Sequence, residues 1–370
     1  MILPSPLLLP GSTFTGDGSL LQLAEICAGF GTKGVIVHGR AFSGARHAAV
    51  MDRFPAATRV VTHRHRGGEP TLSEVEHLRD FLRSERPDWV VAIGGGSILD
   101  LAKAAVGLLH APERVADYQR GMAIPAATTP FIAVPTTAGT GSEATIVAVL
   151  TDTERHVKQS IRHASFMPRA VILDPTLLHD CPPATLAAAG MDAVTQAYES
   201  WVSRFATDFT RDLSSRALRA LVRSLPAMVA GDRSAARDLI EGSYLAGLAL
   251  SHARLGIVHG LAHPLGARWH LPHGLVCAVC LPVALRFNAE ATVEQTAAIH
   301  AAIGCDFAPW VDQALEAFGI VAPFTGGVPK DHATIIEETL KSGSTQANPR
   351  TVTASDVDRL LRTLYADEHA

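Results

Sequence analysis

Acidic, amide and imidazole side chains in the second half of the sequence have the types and spacing of a metal site. Asp192 and Gln196 are four residues apart in one helical pattern, and His259 and His263 are four apart in another. Residues with this spacing share one face of a helix. One carboxylate with two or three imidazoles is the ligand set expected for Zn²⁺ or Fe²⁺, with a position left open for substrate.

His273 is a third imidazole candidate. Pro264 and Pro272, with glycines beside them, are expected to break the helix after His263, so that His273 returns from a second segment. The spacing alone does not decide which two of the three imidazoles bind the metal and which faces the substrate.

Three neighbouring residues of metal-binding type are interpreted differently. His270 is expected to be a packing or surface residue. Cys277 and Cys280 form a single CxxC inside an apolar run, without a second pair, and we interpret them as core packing.

Two glycine-rich loops each follow an apolar strand pattern. The first is the segment VVAIGGGSILDLAK at 90–103, in which a helix begins at once after three glycines. Free N–H groups and the helix dipole favour an anion at such a helix start, and glycine permits its close approach. The alternative is a tight strand-to-helix turn without a ligand. The candidate nucleotide-binding residues here are Gly94, Gly95, Gly96, Ser97 and Asp100.

The second loop, PTTAGTGSE at 135–143, combines four hydroxyl side chains with two glycines. This composition suits a ribose or phosphate contact, and the alternative is a polar surface loop. Two such loops at the carboxyl ends of strands favour a nucleotide crevice more than either does alone. The candidates in this loop are Thr136, Thr137, Thr140 and Ser142.

The elements that must position these residues differ between the two halves. Short β-branched runs alternate with helical patterns up to about residue 180, which is typical of a mostly parallel sheet. The expected strands are Gly34–His38, Arg59–Thr62, Trp89–Ile93, Phe131–Pro135 and Ala170–Leu173. Later segments are Ala/Leu/Arg-rich helical patterns; for the last of them, 355–365, Ser355 is the expected N-cap. We therefore predict an α/β dinucleotide-binding domain at 1–180 and an all-α metal-binding domain at 181–370.

Composition excludes several classes of protein. The chain has 370 residues, 47% of them hydrophobic, and a net charge of −4, so it lacks the basic surface that nucleic acid or an anionic membrane would require. No run approaches 18 uninterrupted apolar residues, so we expect no membrane span, and we do not expect the N-terminal segment to be a signal peptide. Five cysteines are few for this length, and we expect a cytoplasmic protein without a disulfide framework.

These motifs together resemble the iron-containing (group III) alcohol dehydrogenases of the dehydroquinate synthase-like superfamily. The resemblance extends nearly end to end, through GGGSILDLAK (94–103), PTTAGTGSEAT (135–145), GMDAVTQAYES (190–200), LGIVHGLAHPLGARWHLPHG (255–274) and ANPRTVTASDV (347–357). It implies an N-terminal dinucleotide-binding domain, a helical C-terminal domain, an active site in the cleft between them, and a homodimer.

The resemblance also implies roles for individual residues. Asp192, His259 and His273 correspond to metal ligands, with His263 beside the substrate. Lys158 is similar to the family's cofactor-side lysine. Gly95, Gly96 and Ser97 would line the pyrophosphate, and the cofactor contacts would include Thr136, Thr137 and Ser142.

Gln196 departs from the family pattern. The iron-dependent dehydrogenases have a second ligand histidine there, and a neutral amide is a poor ligand for a transition metal. Either three residues bind the metal, as in glycerol dehydrogenases, or the site holds it weakly, and Zn²⁺ becomes as plausible as Fe²⁺. Metal-independent maleylacetate reductases offer a further alternative, against which the retained Asp192 argues.

Two other departures concern charge. The sequence reads His38-Gly39-Arg40 where NAD-preferring members have an aspartate that accepts from the ribose 2′-hydroxyl. Without that carboxylate a 2′-phosphate is not repelled, and Arg40 can pair with it, which favours NADP(H) over NAD(H). Arg254 is either a contact for an anionic substrate or a surface arginine.

We therefore expect a metal-dependent, NAD(P)-linked alcohol dehydrogenase or aldehyde reductase acting on a small alcohol or carbonyl compound. The alternatives are a metal-independent reductase of the maleylacetate type, a dehydroquinate synthase-like lyase, and a nucleotide-binding protein whose metal site has decayed through Gln196. Catalysis would use His263 and the metal held by Asp192.

Overall fold

The structure is a computed structural model that describes residues 1–155, 157–324 and 328–366. The chain divides into two compact units. One is Leu8–Cys181, and the other combines Met1–Leu7 with Pro182–Ala370. The first residues join the helical unit because the backbone N–H groups of Asp208 and Phe209 donate to the carbonyl oxygens of Met1 and Ile2.

The unit Leu8–Cys181 is an α/β unit. Its strands are β1 Thr13–Thr15, β2 Lys33–His38, β3 Arg59–Arg64, β4 Trp89–Gly94, β5 Phe131–Pro135, β6 Val147–Asp152, β7 Val157–Arg162 and β8 Ala170–Leu173. Its helices are α1 Leu23–Ala28, α2 Gly44–Met51, α3 Leu72–Glu85, α4 Gly96–Gly107 and α5 Val115–Gln119. Among the described residues, six strands form one sheet in the order β1-β8-β5-β4-β2-β3, and β6 pairs with β7 in a hairpin.

All neighbouring strands of this sheet are parallel. Every residue of β4 and β5 is buried, as expected of a parallel sheet covered on both faces. The five strands expected from the sequence are confirmed. The short polar β1 and the antiparallel β6–β7 hairpin were not expected.

The second unit is helical. Its helices are α6 Pro183–Val202, α7 Asp208–Val229, α8 Ala236–Ala253, α9 Ile257–Trp269, α10 His273–Asn288, α11 Val293–Ile303, α12 Phe307–Ala317, α13 His332–Lys341 and α14 Ala354–Tyr365. The segment His273–Ala291, which contains α10, has the length and hydropathy of a membrane span, and 56% of its apolar window is buried. It packs against α6, α9, α12 and α14 as a core helix of this unit. An α/β unit followed by helices confirms the predicted fold class.

Two details of the helical unit correct the sequence analysis. Pro264 does not break the helix, because it lies inside α9; the break falls at 270–272, and Pro272 is the N-cap of α10. The N-cap of α14 is Thr353, not Ser355. The Thr353 hydroxyl accepts from the Asp356 backbone N–H in a reciprocal capping box.

Candidate metal centre and nucleotide-binding loops

Four side chains of the helical unit direct metal-binding atoms at one another. One donor atom each from Asp192, His259, His273 and Cys277 lies within 4.8 Å of the others. The Asp192 Oδ1 atom is 3.2 Å from His259 Nε2 and 4.0 Å from His273 Nε2. The three predicted ligands are thus together, and Cys277, which the sequence analysis interpreted as core packing, joins them.

Glu199 fixes the orientation of the His259 ring. Its Oε2 atom is 2.6 Å from His259 Nδ1. Nδ1 therefore carries a hydrogen and donates it to the carboxylate, so Nε2, which faces Asp192, is the nitrogen available to a metal. A carboxylate behind a ligand histidine is the usual second layer of a metal site. This arrangement and the chemistry of the donor set fit a divalent transition metal.

The start of α9 explains why Glu199 can reach this position. Gly256 is the N-cap and carries no capping side chain, so the helix takes acceptors from elsewhere. Glu199 Oε1 accepts from the Val258 N–H at 2.7 Å, and Asn348 Oδ1 accepts from the Ile257 N–H at 3.3 Å. A Cβ atom on Gly256 would lie 2.7 Å from Glu199 Oε1, so glycine is required there.

Asn348 is itself held by a reciprocal amide pair. The Asn288 side-chain amide donates to Asn348 Oδ1 at 3.0 Å, and the Asn348 amide donates to Asn288 Oδ1 at 2.8 Å. Both residues are buried. The closing motif of the chain thereby supports the start of the helix that carries His259.

His263 and Gln196 stand beside this group. The His263 ring is stacked on the His273 ring with centroids 5.3 Å apart, and both side chains are partly exposed. Gln196 is 3% exposed, and its Oε1 atom is buried without a hydrogen-bond partner among the described residues. His270, as expected, is outside the group; it is the exposed C-cap of α9.

The charges of the buried acid and base reinforce each other. Burial alone would raise the pKa of Asp192, but the neighbouring His273 and His259 hold that pKa below its usual value. Burial alone would lower the pKa of His259, but Cys277, Asp192 and Glu199 raise it well above the ordinary value. The site without a metal therefore favours an anionic Asp192.

We expect Glu199→Gln to weaken metal binding without unfolding the protein. The one amide oxygen of glutamine can accept from either His259 Nδ1 or the Val258 N–H, but not from both, and the negative charge that makes the imidazole a better donor is lost. The expected fall in affinity is about 10- to 100-fold, measured by competition with a chromophoric chelator. Thr195→Val on the same helix is the control, because the Thr195 hydroxyl donates to the Met191 carbonyl of its own helix. Unchanged affinity in Glu199→Gln would contradict the role.

The α/β unit brings the first glycine loop to the switch point of its sheet. The chain runs from β2 outward to β3 and returns across β2 to β4, so the strand order reverses between β2 and β4. Ligands of such sheets bind at the carboxyl ends of the strands on either side of this point. Gly39 follows β2, and its N–H donates to the Ile93 carbonyl of β4 at 3.1 Å. Gly39 and Gly94 therefore lie together.

The glycines of the first loop are required by packing inside the protein. A Cβ on Gly94 would lie 2.5 Å from the Ile98 side chain, and one on Gly96 would lie 2.6 Å from Thr140. A Cβ on Gly95 would be 3.2 Å from the Thr137 hydroxyl. The two predicted loops therefore touch each other. Within the described residues, no side chain caps the start of α4, so its first N–H groups fit a phosphate.

Lys103 joins α4 to the second loop. Its Nζ atom donates to the carbonyl oxygens of Ser142 at 2.6 Å and Val147 at 2.8 Å, and to the Ser142 hydroxyl at 2.9 Å. The Ser142 hydroxyl donates to Asp100 Oδ1 at 2.5 Å, and the Val149 N–H donates to Asp100 Oδ2 at 3.0 Å. Asp100 and Ser142 thus hold the loops in place, and their direct contact with a cofactor stays a prediction.

Burial of this network shifts the pKa values of its charged groups. Burial lowers the pKa of Lys103 to about 8 and raises that of the adjacent Glu143 to about 7. Burial also raises the pKa of Asp100. The network persists because the ammonium group satisfies several acceptors at once.

Lys103→Met is expected to destabilise the α/β unit by about 3 kcal/mol, since it leaves Asp100 and the Ser142 and Val147 carbonyls buried without their cation. Urea unfolding followed by circular dichroism measures the change. The exposed Lys341→Met is the comparison and is expected to have little effect, because Lys341 pairs only with Glu337 on the surface. Equal stability of the two variants would exclude a structural role for Lys103.

Three other predicted residues are at the surface or in ion pairs. Lys158 on β7 forms an ion pair with Glu69. Arg40 is exposed after β2. Arg254 is not on a helix surface; it follows α8 at a φ of 62°, and its guanidinium lies 4.6 Å from the Phe205 ring centroid. The stacking makes Arg254 a surface contact of the helical unit.

Comparison with known proteins agrees with this geometry over both units. The model of the iron-containing alcohol dehydrogenase family matches residues 10–175, and that of the family's C-terminal region matches residues 186–365. The chain belongs to the iron-containing alcohol dehydrogenase family. This dehydrogenase is therefore an oxidoreductase acting on CH–OH donors, of a family that binds a divalent metal and NAD(H) or NADP(H).

Relatives include dehydrogenases and reductases of small compounds. The sequence is 35% identical over 300 residues to a probable alcohol dehydrogenase EutG of Salmonella typhimurium, covering 78% of this chain and 76% of that protein. It is 32% identical over 305 residues to an NADPH-dependent butanol dehydrogenase of Clostridium saccharobutylicum, covering 79% and 76%. The crystal structure of a sulfoacetaldehyde reductase from Bifidobacterium kashiwanohense with NAD⁺ matches with a TM-score of 0.90 at 27% identity, over 100% of both chains. These matches support a dehydrogenase over the lyase and binding-protein alternatives.

Glu199 and Cys277 are the residues that sequence reasoning missed. Glu199 lies seven residues after Asp192 and Cys277 lies four after His273, spacings that return to the same helix face. Spacing places both residues on the helix faces that carry predicted ligands, but it does not show which atoms they contact.

Proposed function

We propose that this dehydrogenase transfers hydride reversibly between NADP(H) and a small aldehyde or ketone with the help of one divalent metal. The observation that supports the metal is the group Asp192, His259 and His273, in which Asp192 and His259 are buried and Glu199 fixes the donor nitrogen of His259. Apolar residues would pack at these positions at a lower cost in free energy, so packing alone does not explain this donor set.

In this proposal, a metal bound at this group supplies Lewis acidity toward the substrate oxygen. Asp192 contributes the negative charge that neutralises part of the cation, and Glu199 keeps the His259 Nε2 lone pair available. His263, stacked on His273 and partly exposed, exchanges a proton with the substrate oxygen, directly or through water or the ribose hydroxyls.

Preference for NADP(H) follows from the charges at the carboxyl ends of β2 and β3. His38 pairs in register with Arg64, and the His65 N–H donates to the His38 carbonyl at 2.9 Å, so Arg40 and Arg64 follow neighbouring strands. Arg40, Arg64 and Arg66 are exposed, and in the described part of the chain none of them forms an ion pair. Free guanidinium groups beside Gly39 suit a 2′-phosphate.

The proposal is tested by following NADPH and then NADH absorbance with a panel of small aldehydes and ketones. The protein is stripped of metal and reloaded with Fe²⁺ or Zn²⁺. Metal-dependent oxidation of NADPH, faster than that of NADH, is the expected result. Turnover that is faster with NADH would contradict the cofactor preference and leave the metal-dependent reaction standing.

Arg40→Ala and Arg64→Ala are each expected to lower kcat/KM for NADPH about 30-fold, the loss of one charge-assisted hydrogen bond of about 2 kcal/mol. Values with NADH should change little. Arg59→Ala is the control, because Arg59 lies at the opposite end of β3 and pairs with Glu85. Equal losses with both cofactors would exclude 2′-phosphate recognition.

We also propose a cytoplasmic homodimer. The low cysteine content supports the compartment, and the family resemblance supports the assembly. Light scattering coupled to gel filtration checks the mass of the metal-loaded protein.

A further inference from the structure

The metal group contains one more donor atom than its predicted ligand set. Asp192, His259 and His273 supply three donors. Gln196 stands where the iron-dependent dehydrogenases that this chain resembles have a further ligand histidine. An amide oxygen is neutral and binds Zn²⁺ or Fe²⁺ weakly. The fourth donor must come from another side chain if the site holds its metal tightly.

Cys277 is the side chain that the helices bring to this place. It lies four residues after His273 on α10, so both face the same direction. Its Sγ atom is 3.5 Å from His273 Nε2 and 3.7 Å from His259 Nε2. Cys277 is completely buried. Both imidazoles therefore present to this sulfur the nitrogen atoms that would bind a metal.

The spacing of these atoms matches a shared ion. Tetrahedral coordination at usual bond lengths to zinc separates a sulfur ligand from a nitrogen ligand by about 3.6 Å, and nitrogen from oxygen ligands by about 3.3 Å. The two sulfur–nitrogen distances are 3.5 and 3.7 Å, and the distance from Asp192 Oδ1 to His259 Nε2 is 3.2 Å. The distance from Asp192 Oδ1 to His273 Nε2 is longer, at 4.0 Å.

We propose that Cys277 binds the metal as a thiolate, in place of the imidazole that Gln196 does not provide, and that this donor set favours Zn²⁺ over Fe²⁺. Thiolate is a softer donor than imidazole and is common in zinc sites, including catalytic ones. The thiol proton leaves to solvent as the metal binds, so no oxidant or reductant is needed. The inference rests on the proposed metal-dependent function.

Cobalt(II) substitution tests the proposal, because a thiolate ligand gives Co²⁺ an intense charge-transfer band in the near ultraviolet that nitrogen and oxygen ligands do not give. We expect the band in the Co²⁺-loaded protein and its complete loss in Cys277→Ser and Cys277→Ala. Zinc affinity should fall by more than the roughly 10- to 100-fold that outer-shell substitutions cost. X-ray absorption of the Zn²⁺-loaded parent protein should show one sulfur at about 2.3 Å and needs no variant to fold.

Matched variants separate ligation from packing. Cys280→Ala removes a cysteine that is equally buried on the same helix and outside the donor group, and it should keep the band. Gln196→Ala should keep it as well. Gln196→His combined with Cys277→Ala restores an imidazole and should regain Co²⁺ binding without the band.

The outcomes distinguish this inference from the proposed function. A parent protein that binds Co²⁺ without the charge-transfer band, or a zinc absorption spectrum without sulfur, overturns the thiolate ligand and leaves the metal site intact. A parent protein that binds no Co²⁺ or Zn²⁺ overturns both. A band that survives in Cys277→Ala but disappears in Cys280→Ala would identify Cys280 as the sulfur ligand and overturn the proposal for Cys277.

Discussion

His259→Ala is expected to lose the metal and all turnover, whereas His263→Ala keeps the metal and slows turnover about 10²- to 10⁴-fold. The His259 ring lies between Glu199 and Asp192: Nδ1 donates to Glu199, and Nε2, the nitrogen that would bind the metal, is 3.2 Å from Asp192 Oδ1. His263 stacks on His273, and its nitrogen atoms are outside the group of donor atoms. Metal content by elemental analysis and kcat of the same samples separate the two effects.

His270→Asn is the control for this pair of variants. His270 is the exposed C-cap of α9 in the left-handed region, at a φ of 52°, which asparagine tolerates. It should keep both metal and turnover. Equal metal loss in His259→Ala and His263→Ala would refute the division into a ligand and a proton donor.

Removal of the metal by a chelator is expected to abolish turnover and to lower stability. The ligands come from α6, α9 and α10, so a bound ion connects distant segments: Asp192 and His273 are 81 residues apart in sequence. A metal present at about 1,000 times its Kd stabilises the folded protein by about 4 kcal/mol. Thermal unfolding with chelator, and after Zn²⁺ or Fe²⁺ is added back, measures this change.

The same unfolding measurements on His259→Ala are the matched control, since added metal should not raise the melting temperature of this variant. Turnover that persists in the fully stripped parent protein would move this dehydrogenase to the metal-independent reductases. Turnover restored by only one of the two metals would identify the metal that supports catalysis.

Local sequence pattern predicted most of the fold because the deciding signals were local. Buried parallel strands such as Trp89–Gly94 are continuous apolar runs, and these are visible without tertiary information. The strand Thr13–Thr15 has three residues, two of them polar, and exists because it pairs with β8 far along the chain. Such a strand depends on its partner and has no signal of its own.

Pro264 shows the limit of local rules in the other direction. A proline inside a helix removes one hydrogen bond and is expected to break it. Helix α9 continues because most of its residues up to Leu265 are buried against the rest of the unit. The free energy gained by burying α9 exceeds the cost of the lost hydrogen bond, and the sequence pattern does not show that burial.

The sequence predicted the site residues whose chemical type indicates a metal ligand. It did not predict the residues whose role depends on where the fold places them. Aspartate and histidines at helical spacing indicate a metal site by themselves. The role of Glu199 depends on the start of α9 lying against α6, and that of Asn348 depends on its pairing with Asn288. Neither contact follows from spacing along the chain.

The amide pair has a consequence for when the metal site becomes complete during protein synthesis. The first N–H of α9 is satisfied by Asn348, which the ribosome adds 89 residues after His259. A nascent chain that has already released all the donor residues still lacks this support for the helix that carries His259. We therefore expect the metal to be taken up only after Asn348 has been added and the start of α9 has its acceptor.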